Sequence, residues 1–380
     1  MRLQIIFFIF FLFVGKNNFA QINNQLLENI IEVKDSNSQK VMLNIQAKPF
    51  FKNNEYFGKI STGYTLFGAQ LGTQLAFQPS PYVRIQAGAY FLKDYGNDTA
   101  MHVRPLLTCK IEKNGYSFLF GNLEGNFAHR LIEPLYNYER YITNPLENGI
   151  QFKINKDKIW SDTWMNWEVM QYLGSNYQEQ FSAGHHSDIT IFHKNKSMFT
   201  LPFMFLFAHK GGQIDIDTTQ LKTLFNAAIG FQYEYKAENK TDFIKSFSTQ
   251  NYFTIFKDLS PDKYLNFNKG SAFYFNATLC SKYDISASAG YWSAHNFLSS
   301  RGGYLFQSEA SIYGKQGYLA PDRSLLFFRI LYARKVFDAI NVNVRFEPYY
   351  DFIQQLFEYN YSVYFSYHHD FSLFNFARKK

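Results

Sequence analysis

His185 and Ser187 stand two residues apart in the run His185–His186–Ser187–Asp188. On an extended strand residues i and i+2 share a face, so an imidazole so placed can take the proton of the hydroxyl and turn it into a nucleophile. The chemistry would be ester hydrolysis, and it needs a third group to orient the imidazole. If 194–197 turns a hairpin, the neighbours across it are Met204 and Leu206, which cannot supply that group. Ser293–Ala294–His295–Asn296 repeats the spacing at the end of another strand.

A second group is richer in charge. The stretch 129–149 gathers His129, Arg130, Glu133, Tyr136, Tyr138, Glu139, Arg140, Tyr141 and Glu147, with Asp162, Glu168, Glu179, His185, His186, Asp188 and His209 placed to lie near it. Such a set suits three roles: a constriction held by its own salt bridges, a site for a divalent metal or polar ligand, or a solvated loop. Neither HxH nor HExxH occurs, so the spacing names no metal, and neither metal nor cofactor is expected. Gly-rich phosphate loops and CxxC pairs are absent as well.

These groups need a scaffold, and the alternation along the chain supplies it. Phe67, Ala69, Leu71, Thr73, Leu75 and Phe77 occupy one face of a strand, and Gly68, Gln70, Gly72, Gln74, Ala76 and Gln78 the other. The pattern recurs at 83–91, 225–234, 340–347 and 359–367. Segments of about ten residues or more are long enough for a tilted strand to cross hydrocarbon, and aromatics gather at their ends. Short connections at 79–81, 113–115, 157–158, 194–196 and 283–284 alternate with long ones at 94–99, 129–149, 173–180, 209–220, 257–269 and 297–303. This is the turn asymmetry of an outer-membrane barrel. The expected fold is an all-β, transmembrane, antiparallel up-and-down barrel over 41–376 with about sixteen strands, fourteen to eighteen remaining open. Sixteen requires 304–313 to belong to a long excursion. An interior that wide is expected to hold a lumen. A soluble sandwich also alternates and is the competing fold. In 159–173, Trp160, Trp164 and Trp167 have helical spacing, so that stretch reads either as an amphipathic helix or as a strand lining the interior.

Composition agrees. Aromatics are 20% of 380 residues, too many for a disordered chain, yet the longest clean apolar run, at 5–15, is too short to span a membrane as a helix. That run follows Arg2 and precedes Ala20, so 1–20 reads as a signal peptide for export, with an uncleaved anchor as the alternative. Its removal takes Arg2 and Lys16 and lowers the formal +7 by two, to +5, too mild and dispersed for nucleic-acid binding. Residues 21–40 read as a mobile periplasmic lead. Cys109 faces lipid and Cys280 faces inward on a distant strand, so two free thiols are expected.

From 125 to 213 the chain resembles a family of exported Bacteroidetes-type outer-membrane β-barrels. The residues that carry the likeness are His129, Ile132–Glu133–Pro134–Leu135–Tyr136–Asn137–Tyr138–Glu139 and Leu146–Glu147–Asn148–Gly149–Ile150–Gln151. Asp162–Thr163–Trp164–Met165–Asn166–Trp167–Glu168, Gln178–Glu179–Gln180–Phe181 and His209–Lys210–Gly211–Gly212–Gln213 complete it. The resemblance covers about a quarter of the chain and implies location and barrel, with no settled activity.

The function expected from the residues is a porin-like channel for small hydrophilic solutes. Arg84, Arg104, Lys110, Asp162, Glu168, Glu234, Arg329, Arg345 and Glu347 would line the pore, and His129, Arg130, Glu133, Tyr136, Glu139, Arg140 and Glu147 would narrow it. The same wall charges also read as solvated side chains paired across strands. Expected partners are outer-membrane lipid, lipopolysaccharide and the solutes, with a homo-oligomer open. Two alternatives stand beside the channel: a lipid acyl hydrolase using His185 and Ser187, and a structural component of an envelope secretion or surface complex.

Overall fold

The computed structural model describes residues 24–98, 101–214, 216–239 and 241–376, and the exported leader expected at 1–20 lies outside the described residues. The alternating segments form sixteen strands. The first eight are β1 (Lys40–Phe57), β2 (Thr62–Ser80), β3 (Val83–Asp94), β4 (His102–Lys113), β5 (Tyr116–Asn122), β6 (Asn148–Lys156), β7 (Ile159–Val169) and β8 (Glu179–Lys194). The rest are β9 (Ser197–Gly211), β10 (Lys222–Lys236), β11 (Ile244–Asp258), β12 (Lys269–Ser281), β13 (Ile285–His295), β14 (Asp322–Phe337), β15 (Ile340–Asp351) and β16 (Leu356–Asn375). Each pairs with its sequence neighbours and β16 pairs with β1, so the sheet closes and no edge is left unpaired. The expected fold and strand number hold, with 304–313 inside the long β13–β14 connection.

The barrel is apolar outside and polar inside. On β2, Leu75 is 57% exposed while its neighbours Gln74 and Ala76 are 6% and 0% exposed. The same parity runs through β3, β15 and β16. Residues 159–169 are the strand β7, not a helix: Trp160 and Trp164 are buried inside, whereas Trp167 lies on the opposite face and stacks on Phe181 of β8 at 5.2 Å. Among the described residues no helix is long and apolar enough to cross a membrane. Both cysteines are free.

The lumen expected of sixteen strands is filled. The β5–β6 connection, residues 123–147 with the short helix α1 (Arg140–Thr143), folds inward and packs Leu131, Ile132, Leu135 and Tyr136 against Trp164, Met204 and Leu206 of the wall. The β13–β14 connection adds Phe297, Leu305 and Phe306 against Trp292 and Phe327. Residues 24–31, part of the lead expected to be mobile and periplasmic, pack inside the barrel, while 32–39 are largely exposed. Leu27 joins Phe127, Tyr141 and Ile142, the Ile31 N–H donates to Glu124 at 2.9 Å, and Lys110 donates to the Ile31 carbonyl at 2.7 Å. Inward-facing aliphatic side chains on β9 and β10 and rings on β11–β14 leave room that further apolar side chains fill without stranding polar groups, and the loops supply them.

Candidate functional site

His129 sits at the centre of the inward-folded loop. Its Nδ1 lies 2.9 Å from Asp162 of β7 and its Nε2 2.8 Å from Glu147, both fully buried, while the Tyr136 hydroxyl donates to Glu147 at 2.9 Å. The ring stacks on Trp164 at 3.6 Å, and Trp164 in turn lies flat over Gly184, where a Cβ would come within 2.3 Å of the indole. Burial alone would lower the His129 pKa, but the Glu147 and Asp162 carboxylates outweigh it and raise it to about 9. Burial likewise pushes Glu147 upward, and His129 overrides that to hold it at about 2. Charge and loop are therefore locked together as an ion-paired plug.

The other loop groups are tied in the same way. Arg130 grips Glu28 of the lead at 3.1 and 3.2 Å and lies over the Trp160 ring at 4.4 Å. Glu133 pairs with Arg329, which also meets Glu347 at 3.3 Å. Glu139 meets Lys52 and Asn54 at 2.9 Å and accepts from Tyr64, while Arg140 lies over Tyr136 and 3.9 Å from Glu168. Of the wall charges, Arg84 holds Asp370 through two hydrogen bonds of 2.6 and 2.9 Å, and Lys110 meets Glu112 and Glu124 at 2.8 Å. Glu168 is clasped by Arg301 from the β13–β14 connection at 2.6 and 3.0 Å. Arg345 donates to Asn343 and Asn24 at 2.7 Å, Glu234 meets Lys236 at 3.5 Å, and Arg104 lies at an exposed end of β4. These groups anchor the filling; they do not ring an open passage. Among the described residues no group of three or more His, Cys, Asp or Glu side chains is arranged to hold a metal.

The outer face carries a different feature. His185 and Ser187 lie outward on β8 with Ile189 and Ile191, and β7 places Thr163 opposite His185 and Ser161 opposite Ser187. Thr163 Oγ1 is 2.7 Å from His185 Nδ1. Four polar side chains thus form a square on two adjacent strands, within an apolar surface of Phe152, Ile189, Phe203 and Phe205. Polar side chains facing hydrocarbon cost free energy and mark functional positions more often than structural ones.

The neighbours of this pair differ from the expectation of Met204 and Leu206. The turn does pair Lys194 with Ser197, but an irregularity between Thr190 and Phe192 adds one residue to β8, so His185 faces Phe205 and Ser187 faces Phe203. The orienting group comes from the other side, from β7. No pattern within β8 or β9 points to it; only the β7–β8 register does. With Nδ1–H donating to the Thr163 oxygen, Nε2 is left free to accept a proton. Ser187 is 8% exposed and His185 is half-buried, its ring stacked on Phe205 at 5.4 Å. Among the described residues no hydrogen bond joins His185 to Ser187, so the proton relay requires the imidazole to turn toward the hydroxyl. The pair lies closer to the long-loop end: Phe181, in the aromatic cluster with Trp167 and His209, is four residues away, about 13 Å along the strand.

Comparison with known proteins bears on both faces. Residues 33–376 match the family model described as lipid A 3′-O-deacylase-type. No curated protein matches the chain. Among solved structures, the outer membrane protein OprD from Pseudomonas aeruginosa superposes with a TM-score of 0.51 at 9% identity, covering 88% of this chain and 94% of that one. An improved structure of the same protein gives 0.51 at 9%, covering 89% and 98%. OmpT of Vibrio cholerae, in its trimer form, gives 0.49 at 10%, covering 87% and 100%. The likeness to OprD extends to the fold, an outer-membrane β-barrel.

Proposed function

This chain belongs to the lipid A 3′-O-deacylase-type family, and from that membership and the polar square on its outer face we propose that it is an outer-membrane lipid acyl hydrolase. Its substrate would be an acyl ester of a lipid A-like glycolipid in the outer leaflet. The observation that carries the reading is the Thr163–His185 hydrogen bond beside Ser187 on the lipid-facing surface. In the reaction, Ser187 Oγ attacks the ester carbonyl carbon while His185 Nε2 takes the hydroxyl proton. The bond between the acyl carbon and the sugar oxygen breaks, leaving the acyl group on Ser187, and the departing alkoxide receives that proton from His185. Water, deprotonated by the same imidazole, then releases the fatty acid and restores Ser187. Thr163 holds the ring but carries no charge, so it steadies the imidazolium less than a carboxylate would. The Ser161 hydroxyl, opposite Ser187, is placed to donate to the developing oxyanion.

Passive permeation, the channel reading, has less support, because the interior is occupied by an apolar core and paired charges. The test is fatty-acid release from purified lipopolysaccharide by the barrel in mixed micelles, followed by mass spectrometry. Ser187→Ala and His185→Ala are each expected to abolish release while leaving the barrel folded. Undiminished release by both variants would reject the assignment.

A further inference from the structure

The inward-facing cations Lys52, Arg84, Lys110, Arg323 and Arg329 each meet a carboxylate. Lys48 of β1 does not. The alternation of β1 turns it inward with Asn44, Phe50 and Lys52, and its contact there is the face of the Tyr141 ring at 4.8 Å. A ring face offsets only part of what an ammonium loses on leaving water. Arg345 also lacks a carboxylate, but the side-chain oxygens of Asn24 and Asn343 accept from it at 2.7 Å. Among the described residues no oxygen accepts from Lys48. Its ammonium lines a cavity of about 40 Å³ between the β1–β4 wall and the inward-folded loop, which has room for one to a few particles the size of water. Three further side chains can present donors there. The Tyr90 hydroxyl is buried without a partner. Gln86 accepts from Arg84 at 3.0 Å through its oxygen, which leaves its NH2 for the cavity. The Gln74 oxygen is unpartnered, and a half-turn of the amide brings its NH2 to the same place. The carboxylate at the margin, Glu147, is held by His129 and Tyr136. The lead and the loop contribute the apolar lining: Ile31, Leu123, Pro145 and Leu146.

We propose that this cavity binds one small monovalent anion, chloride or another halide, with Lys48 as its countercharge. A single charge balances the single ammonium, and the Tyr90, Gln74 and Gln86 donors replace part of the ion's hydration. A sulfate or phosphate exceeds both the space and the one compensating charge. A water beside the ion can donate to the Gln70 oxygen, which is buried and unpartnered and lies opposite Lys48 in the β1–β2 register. Because the wall supplies the charge and the loop closes the other side, the ion also helps to seat the loop. The site is separate from the outer-face pair on β8 and does not depend on it.

The test is chlorine NMR line broadening on the full-length detergent-solubilised barrel, with sodium chloride as the probe and bromide, gluconate and sulfate as competitors. Chloride is expected to bind in the millimolar range and to be displaced by bromide, with gluconate and sulfate at least about tenfold weaker. Lys48→Met is expected to weaken chloride binding about tenfold or more. Lys194→Met, which removes an ammonium from an exposed turn, should leave it unchanged. Thermal unfolding in chloride and in gluconate at equal ionic strength checks that the variants fold and gives a second reading. The unaltered barrel should unfold at a higher temperature in chloride, and Lys48→Met at the same temperature in both. Broadening no greater than that of Lys48→Met, which would mean the cavity holds water only, overturns the site. So does sulfate competing as well as bromide, which would mean a wider and less selective site.

Discussion

Alkaline pH should loosen the plug, and the extent follows from His129. In the folded loop its imidazole titrates at about 9, against an ordinary value of 6.5 once the loop is released into water. Protonation therefore favours the seated loop. The contribution is fully present below 6.5, declines as pH rises toward about 9, and is lost above it. At about 1.4 kcal/mol per pH unit, that interval corresponds to about 3 kcal/mol, or on the order of a hundredfold in the balance between seated and released loop. His129 is fully buried, so solvent screening does not dilute the effect. Glu147, held at about 2, stays ionised throughout this range; its share of the same interaction declines as pH falls below its ordinary 4.5 and is gone below about 2, and the two are not added. Planar-bilayer recording is the assay: silence near about pH 6 and intermittent conductance steps near about pH 10 are expected. His129→Gln leaves Glu147 and Asp162 buried without the cation that bridges them and should conduct at both values. Conductance that is the same at both pH values in the unaltered protein, or a pH response that survives His129→Gln, would refute the argument.

Three further outcomes are expected. Thr163→Val removes the partner of His185 Nδ1; fatty-acid release should fall about tenfold in kcat with little change in KM, while Thr163→Ser restores most of it. Arg323→Met leaves Asp351, paired at 2.6 Å and fully buried, without its cation, and also frees the Leu305 carbonyl. Thermal or denaturant unfolding should show a loss of about 3–5 kcal/mol, largely recovered in Arg323→Met with Asp351→Leu. Deleting residues 24–39 removes the Glu28 grip on Arg130 and the Ile31 contacts with Lys110 and Glu124. The truncated barrel should conduct at neutral pH where the full chain does not.

Much of the architecture could be read directly from residue order. Alternation at 67–78, 340–347 and 359–367 set the outward and inward faces, since period two is a local property of an extended chain and needs no knowledge of partners. Turn lengths carried the expected sidedness, whereas the even strand count followed from the rule that bacterial barrels close on an even number, with 304–313 assigned to a long excursion. The site was legible only in part. The spacing of His185 and Ser187 was visible, but the group that orients the imidazole was sought on β9, and the neighbours there were themselves one residue out, because the extra residue between Thr190 and Phe192 leaves no mark in the pattern of apolar and polar positions. Thr163 lies 22 residues away on β7 and becomes a neighbour only through the closed sheet's register. The stretch 129–149 announced a charged constriction, yet its burial depended on Leu131, Ile132 and Leu135 meeting rings from strands up to about two hundred residues distant. Local periodicity decides which way a side chain points, because backbone geometry alone dictates it. What that side chain meets depends on pairing register and on how loops fill the enclosed volume, and those are properties of the whole closed chain.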